Sequence, residues 1–173
     1  MSLGQEFNGW GTTIGEEIHR IADVRQLLQG INLGATAIGT TVTAHPGYPE
    51  LATKYLSEIT GTKFILAGDL IEAPSDTGAY VLLSGVLKRT SSKLTKICND
   101  IRLLASGPRC GFNEINLPQM QPGSSIMPGK VNPVIPEVVN QVAFEVIGND
   151  MTITMAAEGG QLQLNAFEPV IAY

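Results

Sequence analysis

The chain has 173 residues, 43% of them hydrophobic but only 6% aromatic, and a formal net charge of −5; its mean hydropathy is +0.13. That length suits one domain with a substantial core, and so aliphatic an average is common in chains that bury surface in oligomers. Net negative charge without a Lys/Arg run excludes a nucleic-acid partner, apolar stretches broken well before about 18 residues exclude a membrane span, and an amino terminus without a signal-peptide pattern predicts a cytoplasmic setting.

From Gln5 to Leu28 the apolar residues Phe7, Trp10, Ile14, Ile18, Ile21, Val24 and Leu28 recur at steps of three or four, which predicts a helix with one buried stripe. Residues 30–49 carry loop chemistry, rich in glycine, proline and threonine, with a short helical turn allowed over Leu33 to Ile38. A short helix follows from Pro49 to Ile59, closed by Gly61, and the only β-type run is Lys63 to Leu66. Asp69 to Ser75 is a connection in which Ser75 or Asp76 is placed to cap the next helix. That helix is marked by Leu83, Leu87, Leu94, Ile97, Ile101 and Leu104. It runs for about thirty residues, roughly 45 Å at 1.5 Å per residue, before Gly107 and Pro108 stop it.

After a loop ending at Pro133, Val134 to Glu158 again reads as helix through Val138, Val142, Val146 and Ile153, with Gly159 and Gly160 placed to kink it. The predicted class is therefore all-α, a bundle of long, near-antiparallel helices forming one domain over residues 1–173. Met1 leads straight into a helix and the carboxyl end stops within an apolar run, so the chain reads as a segment of a longer protein.

Cys98 and Cys110 are the only cysteines, and their spacing fits neither a redox pair nor a zinc site, so two buried, reduced thiols are expected. His19, on the first helix, and His45, in a turn, stand apart from any carboxylate or cysteine cluster, so no metal site is expected. No cofactor is implied.

The densest cluster of special residues lies between Pro118 and Pro136. Gly123 and Gly129 allow backbone angles closed to other residues, and the flanking prolines stiffen the ends, as in a lid. The loop leads into a helix, so free amides and the positive pole of the dipole stand beside Lys130 and Asn132 and form a place for an anion. A nucleotide-binding P-loop is ruled out, because five residues separate Gly123 from Gly129 rather than four and Val131 stands where Ser or Thr is required. The plain alternative is a turn with one solvated lysine and two hydroxyl caps.

The stretch GSSIMPGKVNP at 123–133 resembles the signature loop of the fumarase/aspartase superfamily. LGATAIGT at 33–40, KICNDIRLLASGPR at 96–109 and the sequence from Glu114 onward are similar to the same superfamily, so the likeness covers nearly the whole chain. LIEAPSDTGAYV at 70–81 looks like the aspartase branch, because the fumarase branch usually carries a histidine where this chain has Asp76 or Thr77.

The resemblance implies elimination of ammonia from L-aspartate to give fumarate, with Ser124 as the base. It implies Ser125, Lys130 and Asn132 as binders of the substrate carboxylates, Met127 packing over a bound dicarboxylate or simply anchoring the loop, and Glu137 as an orienting residue. It also implies a homotetramer whose central helices form one bundle and whose active sites combine three subunits. Further domains on either side, and a histidine partner for Glu137 upstream, would lie outside this chain, leaving the isolated segment inactive. Thr41 and Thr43 depart from the glycine and asparagine expected there, and threonine resists the positive φ that glycine accepts. Fumarate hydration, another superfamily lyase activity or a catalytically silent structural bundle are the competing readings.

Overall fold

The computed structural model describes residues 1–123 and 126–173. Helices α1 (Leu3–Leu27), α2 (Tyr48–Thr60), α3 (Gly78–Leu104), α4 (Val134–Glu158) and α5 (Glu168–Ala172) account for most of the described residues, and the strands β1 (Gly30–Ile31) and β2 (Ile65–Leu66) form a two-residue parallel pair. The class is all-α. Two compact units divide the chain, one made of residues 1–17 and 87–148, the other of residues 18–86 and 149–173, so α1, α3 and α4 each contribute to both.

In the first unit α1 meets α3 through charge. The Glu17 side chain, in a residue only 1% exposed, accepts from Lys93 Nζ at 2.5 Å and pairs with Arg89 Nη2 at 3.1 Å. Thr90 Oγ1 donates to its other oxygen at 3.3 Å, and Lys93 also reaches Glu16 at 3.1 Å and the Thr13 carbonyl at 3.4 Å. A carboxylate taken out of water needs such a set of partners. The Lys93 hydrogen bond holds the Glu17 carboxyl below its usual range against the opposing effect of burial, and the same bond raises the Lys93 ammonium. Further along the chain, Asn140 Nδ2 of α4 donates to Asn99 Oδ1 of α3 at 2.7 Å.

In the second unit Ser84 Oγ donates to the buried Asp150 carboxylate at 2.9 Å. Asn165 Nδ2 donates to the Ala156 carbonyl at 3.0 Å while its Oδ1 accepts from the Phe167 amide at 2.8 Å, holding the turn between α4 and α5. The strand pair is extended by the Ile65 amide bonding Gln29 and the Ala67 amide bonding Ile31. Gly39 has φ 77° and its backbone sits against Leu70, since a Cβ there would lie 1.7 Å from the Leu70 carbonyl oxygen.

The inward rows of the long helices follow the stripes predicted from hydrophobicity only in part: Trp10 and Val24 of the α1 stripe are buried, and Leu83, Leu94, Ile97, Ile101 and Leu104 of the α3 stripe are half-buried. Buried positions recur at seven-residue steps: Trp10, Glu17 and Val24 on α1, Ser84, Ser91 and Cys98 on α3, Ala143 and Asp150 on α4, the period of a long-helix seam. Ile18 of the expected α1 stripe is 66% exposed, and Leu87, Val138 and Val142 are exposed as well. Among the described residues the buried hydrophobic set is small, with Trp10, Val24, Ala35, Cys98, Ala143 and Ala156, less than the substantial core expected from length. Accessible surface is 11800 Å², against about 8,200 Å² for a folded monomer of this mass.

Smaller expectations resolve in detail. Cys98 is buried, and burial pushes its thiol up, but Cys110 is exposed, contrary to the expectation of two buried thiols, because it follows the end of α3 in an irregular loop. Asp76, not Ser75, serves the start of α3 by accepting the Gly78 amide at 2.8 Å, while Ser75 Oγ turns back to the Glu72 carbonyl. Gly159 and Gly160 end α4 instead of kinking it. Gly61 closes α2 with φ 67°, as predicted, and residues 33–38 form turns in which the Ala35 amide bonds Asn32 and the Gly39 amide bonds Thr36. Thr41 takes φ 57°, the left-handed conformation that a β-branched residue adopts at a cost.

Candidate active site

The signature loop belongs wholly to the first unit, and its scaffold starts where α3 ends. The Ser106 carbonyl accepts the Asn113 amide at 2.6 Å, the Leu104 carbonyl accepts the Glu114 amide at 2.9 Å, and Ser106 Oγ accepts the Phe112 amide at 3.1 Å. The excursion 107–112 is thereby latched back onto the last turn of α3. Gly111 has no room for a side chain, since a Cβ would come within 2.4 Å of Ser106. Asn113 occupies the left-handed region at φ 51°, which asparagine tolerates better than most residues.

Residues 127–130 make a tight turn. The Lys130 amide bonds the Met127 carbonyl at 3.2 Å, with Pro128 second and Gly129 third at φ 78°, the residue pattern of a type II turn. Gly123 closes the base of the loop against this turn, because a Cβ at 123 would lie 1.9 Å from the Lys130 carbonyl oxygen. The Pro133 carbonyl then accepts the Glu137 amide at 3.1 Å and α4 begins.

Between the latched segment and the turn lies a cavity of about 570 Å³, lined among others by Gly107, Asn113, Asn116, Gly129 and Lys130. Lys130 is exposed and enters no ion pair among the described residues. An exposed ammonium beside two carboxamide side chains and a glycine-bearing turn makes a place that attracts a carboxylate and can donate hydrogen bonds to it.

Of the residues singled out from sequence, Ser124 and Ser125 lie outside the described residues. Met127 is half exposed at 50%. Asn132 and Glu137 are half-buried, Asn132 just before α4 and Glu137 in its first turn, where a carboxylate complements the helix dipole. Among the described residues of the predicted set, Lys130 alone lines the cavity. Asn113 and Asn116, which the sequence reading passed over, line it too; the signal available for Asn113 was its place two residues after Gly111, in turn chemistry. Among the described residues no group of three His, Cys, Asp or Glu side chains is placed to hold a metal, and no helix is long and apolar enough to cross a membrane.

The chain is 66% identical over 174 residues to the aspartate ammonia-lyase of Pseudomonas aeruginosa and 62% identical over 173 residues to that of Helicobacter pylori, covering 100% of this chain and 37% of each relative. It therefore spans little more than a third of the length of the curated relatives it matches. The class II fumarase from Schistosoma mansoni superposes with a TM-score of 0.95 at 35% identity, over 99% of this chain and 39% of that one. The Lyase_1 family model, described as lyase, matches residues 1–148, a span that contains the latched segment, the cavity and the whole signature loop, and the chain accordingly belongs to that family.

Proposed function

We propose that residues 1–173 are the central helical domain of an aspartate ammonia-lyase, which eliminates ammonia from L-aspartate to give fumarate without a cofactor. The observation that carries the reading is the 62–66% identity to proteins of that name along the whole chain, joined to a loop that sets Lys130 on a cavity of about 570 Å³. The lower identity to a fumarase, 35%, favours aspartate over malate.

Ser124, as alkoxide, removes a proton from the carbon beside the distal carboxylate. The electron pair moves into that carboxylate, giving an aci-carboxylate, and its return forms the double bond as the C–N bond breaks and ammonia departs. A neutral hydroxyl is a poor base, so the alkoxide depends on a nearby ammonium, amides and a closed site. Lys130, Asn132 and Ser125 supply positive charge and donors where the doubly charged carboxylate develops. Met127 packs over the substrate when the loop closes, and Glu137 orients a histidine supplied from outside this chain.

The protein works as a cytoplasmic homotetramer. The apolar residues left exposed on α1, α3 and α4, and an accessible surface well above that of a folded monomer, support assembly through these faces.

The test is an absorbance assay for fumarate, run on the chain alone and on a chimera in which it replaces the matching segment of the Helicobacter pylori relative. Turnover of L-aspartate is expected in the chimera only, and Ser124→Ala within it is expected to lower turnover by at least about a thousandfold with the circular dichroism spectrum unchanged. Ordinary turnover by that variant would remove Ser124 from the mechanism, and a folded chimera inactive on aspartate would overturn the reading.

A further inference from the structure

Ser106 follows the end of α3 and has no part in the proposed chemistry, yet three hydrogen bonds meet on it. Its Oγ donates to the Leu103 carbonyl at 2.5 Å and accepts the Phe112 amide at 3.1 Å, while its carbonyl accepts the Asn113 amide at 2.6 Å. A hydroxyl that donates and accepts at once ties the helix end to the far side of the 107–112 excursion through a single group. Gly111 packs directly on it, since a Cβ there would lie 2.4 Å from the Ser106 carbonyl carbon. Asn113 in turn covers Gly107, with its Cγ 3.5 Å from where a Cβ on that glycine would stand.

Gly107, Asn113 and Asn116 belong to one side of the cavity of about 570 Å³, and the turn carrying Lys130 belongs to the other. Ile115, Leu117 and Val131 make much of the remaining lining apolar, and an apolar surface strengthens the attraction between Lys130 and an anion beside it. Among the described residues, the backbone amides that tie this segment back are those of Phe112, Asn113, Glu114 and Ile115, on acceptors of Ser106 and Leu104. Of those acceptors, only Ser106 Oγ is a side-chain atom, so it is the one that a substitution can remove.

We propose that Ser106 is a positioning residue for the elimination, holding the 107–113 wall where it presents a bound dicarboxylate to Lys130. Resting on the lyase reading above, this role gives Ser106 no contact with substrate; it acts through the place where Lys130 and the carboxylate meet. Displacements of about 1 Å between reacting groups are costly to rate, and a wall released from α3 is free to move that far. A hydroxyl that only finished α3 would instead affect turnover to the same degree whether or not Lys130 were present.

The test uses the chimera, with Ser106→Ala made alone and together with Lys130→Ala. Alone, it is expected to lower turnover of L-aspartate about tenfold, the scale of one lost hydrogen bond. In the Lys130→Ala background the further loss is expected to be less than about twofold, because changes that act through one group do not add. Ser106→Thr keeps the hydroxyl and is expected to turn over aspartate like the parent. Gly111→Ala drives the same segment off Ser106 and should show the same dependence on Lys130; Gly111 is exposed, so this variant decides if Ser106→Ala fails to fold. Equal fractional losses with and without Lys130, full turnover in Ser106→Ala, or a loss in Ser106→Thr as large as in Ser106→Ala would overturn the proposal. A folded parent chimera inactive on aspartate would defeat the lyase reading and this role together, whereas an active parent with any of those outcomes defeats this role alone.

Discussion

The loop at 123–133 and the seam around Glu17 belong to the same unit of the molecule, yet they hold their charges in opposite ways. Glu17 is 1% exposed and takes bonds from Lys93, Arg89 and Thr90, so both of its carboxylate oxygens are answered by the fold itself. Lys130 is exposed on the wall of a cavity and has no ion-pair partner among the described residues. A charge already matched contributes to structure, whereas an unmatched charge at a cavity is available to a ligand. Lys96 is matched in the same way, by Asp100 four residues along α3.

If the contrast is sound, the two regions fail differently when altered. Lys130→Ala in the chimera should lower turnover of aspartate by about 100- to 1,000-fold, the scale of losing one donor to a developing anion, while its melting temperature stays unchanged. A loss of stability without loss of turnover would reverse the assignment. Gly123→Ala should cost about 10- to 100-fold in turnover, because a Cβ placed 1.9 Å from the Lys130 carbonyl oxygen forces the base of the loop open and displaces the groups it carries. Retention of full activity would show that the close approach of Gly123 to Lys130 does not position the loop.

Glu17→Gln addresses the seam, and its readout is stability and not rate. The folded carboxyl of Glu17 lies below its ordinary value of 4.5, so its contribution is complete above that pH and is lost as pH falls through the lowered value. Lys93 is raised above 10.5, so its contribution is complete below that pH and is lost as pH rises through the raised value. The variant should melt lower than the parent chain at pH 7 and show a flatter acid limb in a profile of melting temperature against pH. Coincident profiles would mean that the cluster does not stabilise the fold.

The smallest effect is expected at Thr41, whose φ of 57° costs a non-glycine residue about 1–2 kcal/mol. Thr41→Gly removes that strain and adds about 0.5–1 kcal/mol of unfolded-chain freedom, so a net gain of about 0.5–1 kcal/mol is expected in urea unfolding. A lower denaturation midpoint for the variant would show that the threonine side chain contributes more than its backbone strain costs.

Much of the helical framework was legible because its signals are local. Gly61 closes α2 through a left-handed residue, Val134 opens α4 directly after Pro133, and apolar recurrence places α1 and α3 within a few residues of their observed ends. The chemistry of the loop was legible for the same reason, since Gly, Pro, Lys and Asn restrict the backbone or carry charge wherever they stand. The direction of the helix faces was legible only in part. Trp10 and Val24 are buried where hydrophobicity placed them, but Ile18, Leu87 and Val142 are exposed while Glu17, Ser84 and Ser91 turn inward.

Asn113 and Asn116 escaped notice because an asparagine in a loop has many uses, and only the latch of residues 112–114 onto Leu104 and Ser106 brings them to the cavity. Sequence alone thus determined the all-α class and most helix ends and singled out the loop at 123–133, because propensity, capping and side-chain charge act over one or two turns. Tertiary structure decided which helix face is buried, that Glu17 meets Lys93 seventy-six positions away, and which residues share a cavity with Lys130, because those outcomes depend on the partner each surface finds, and no residue carries that information by itself.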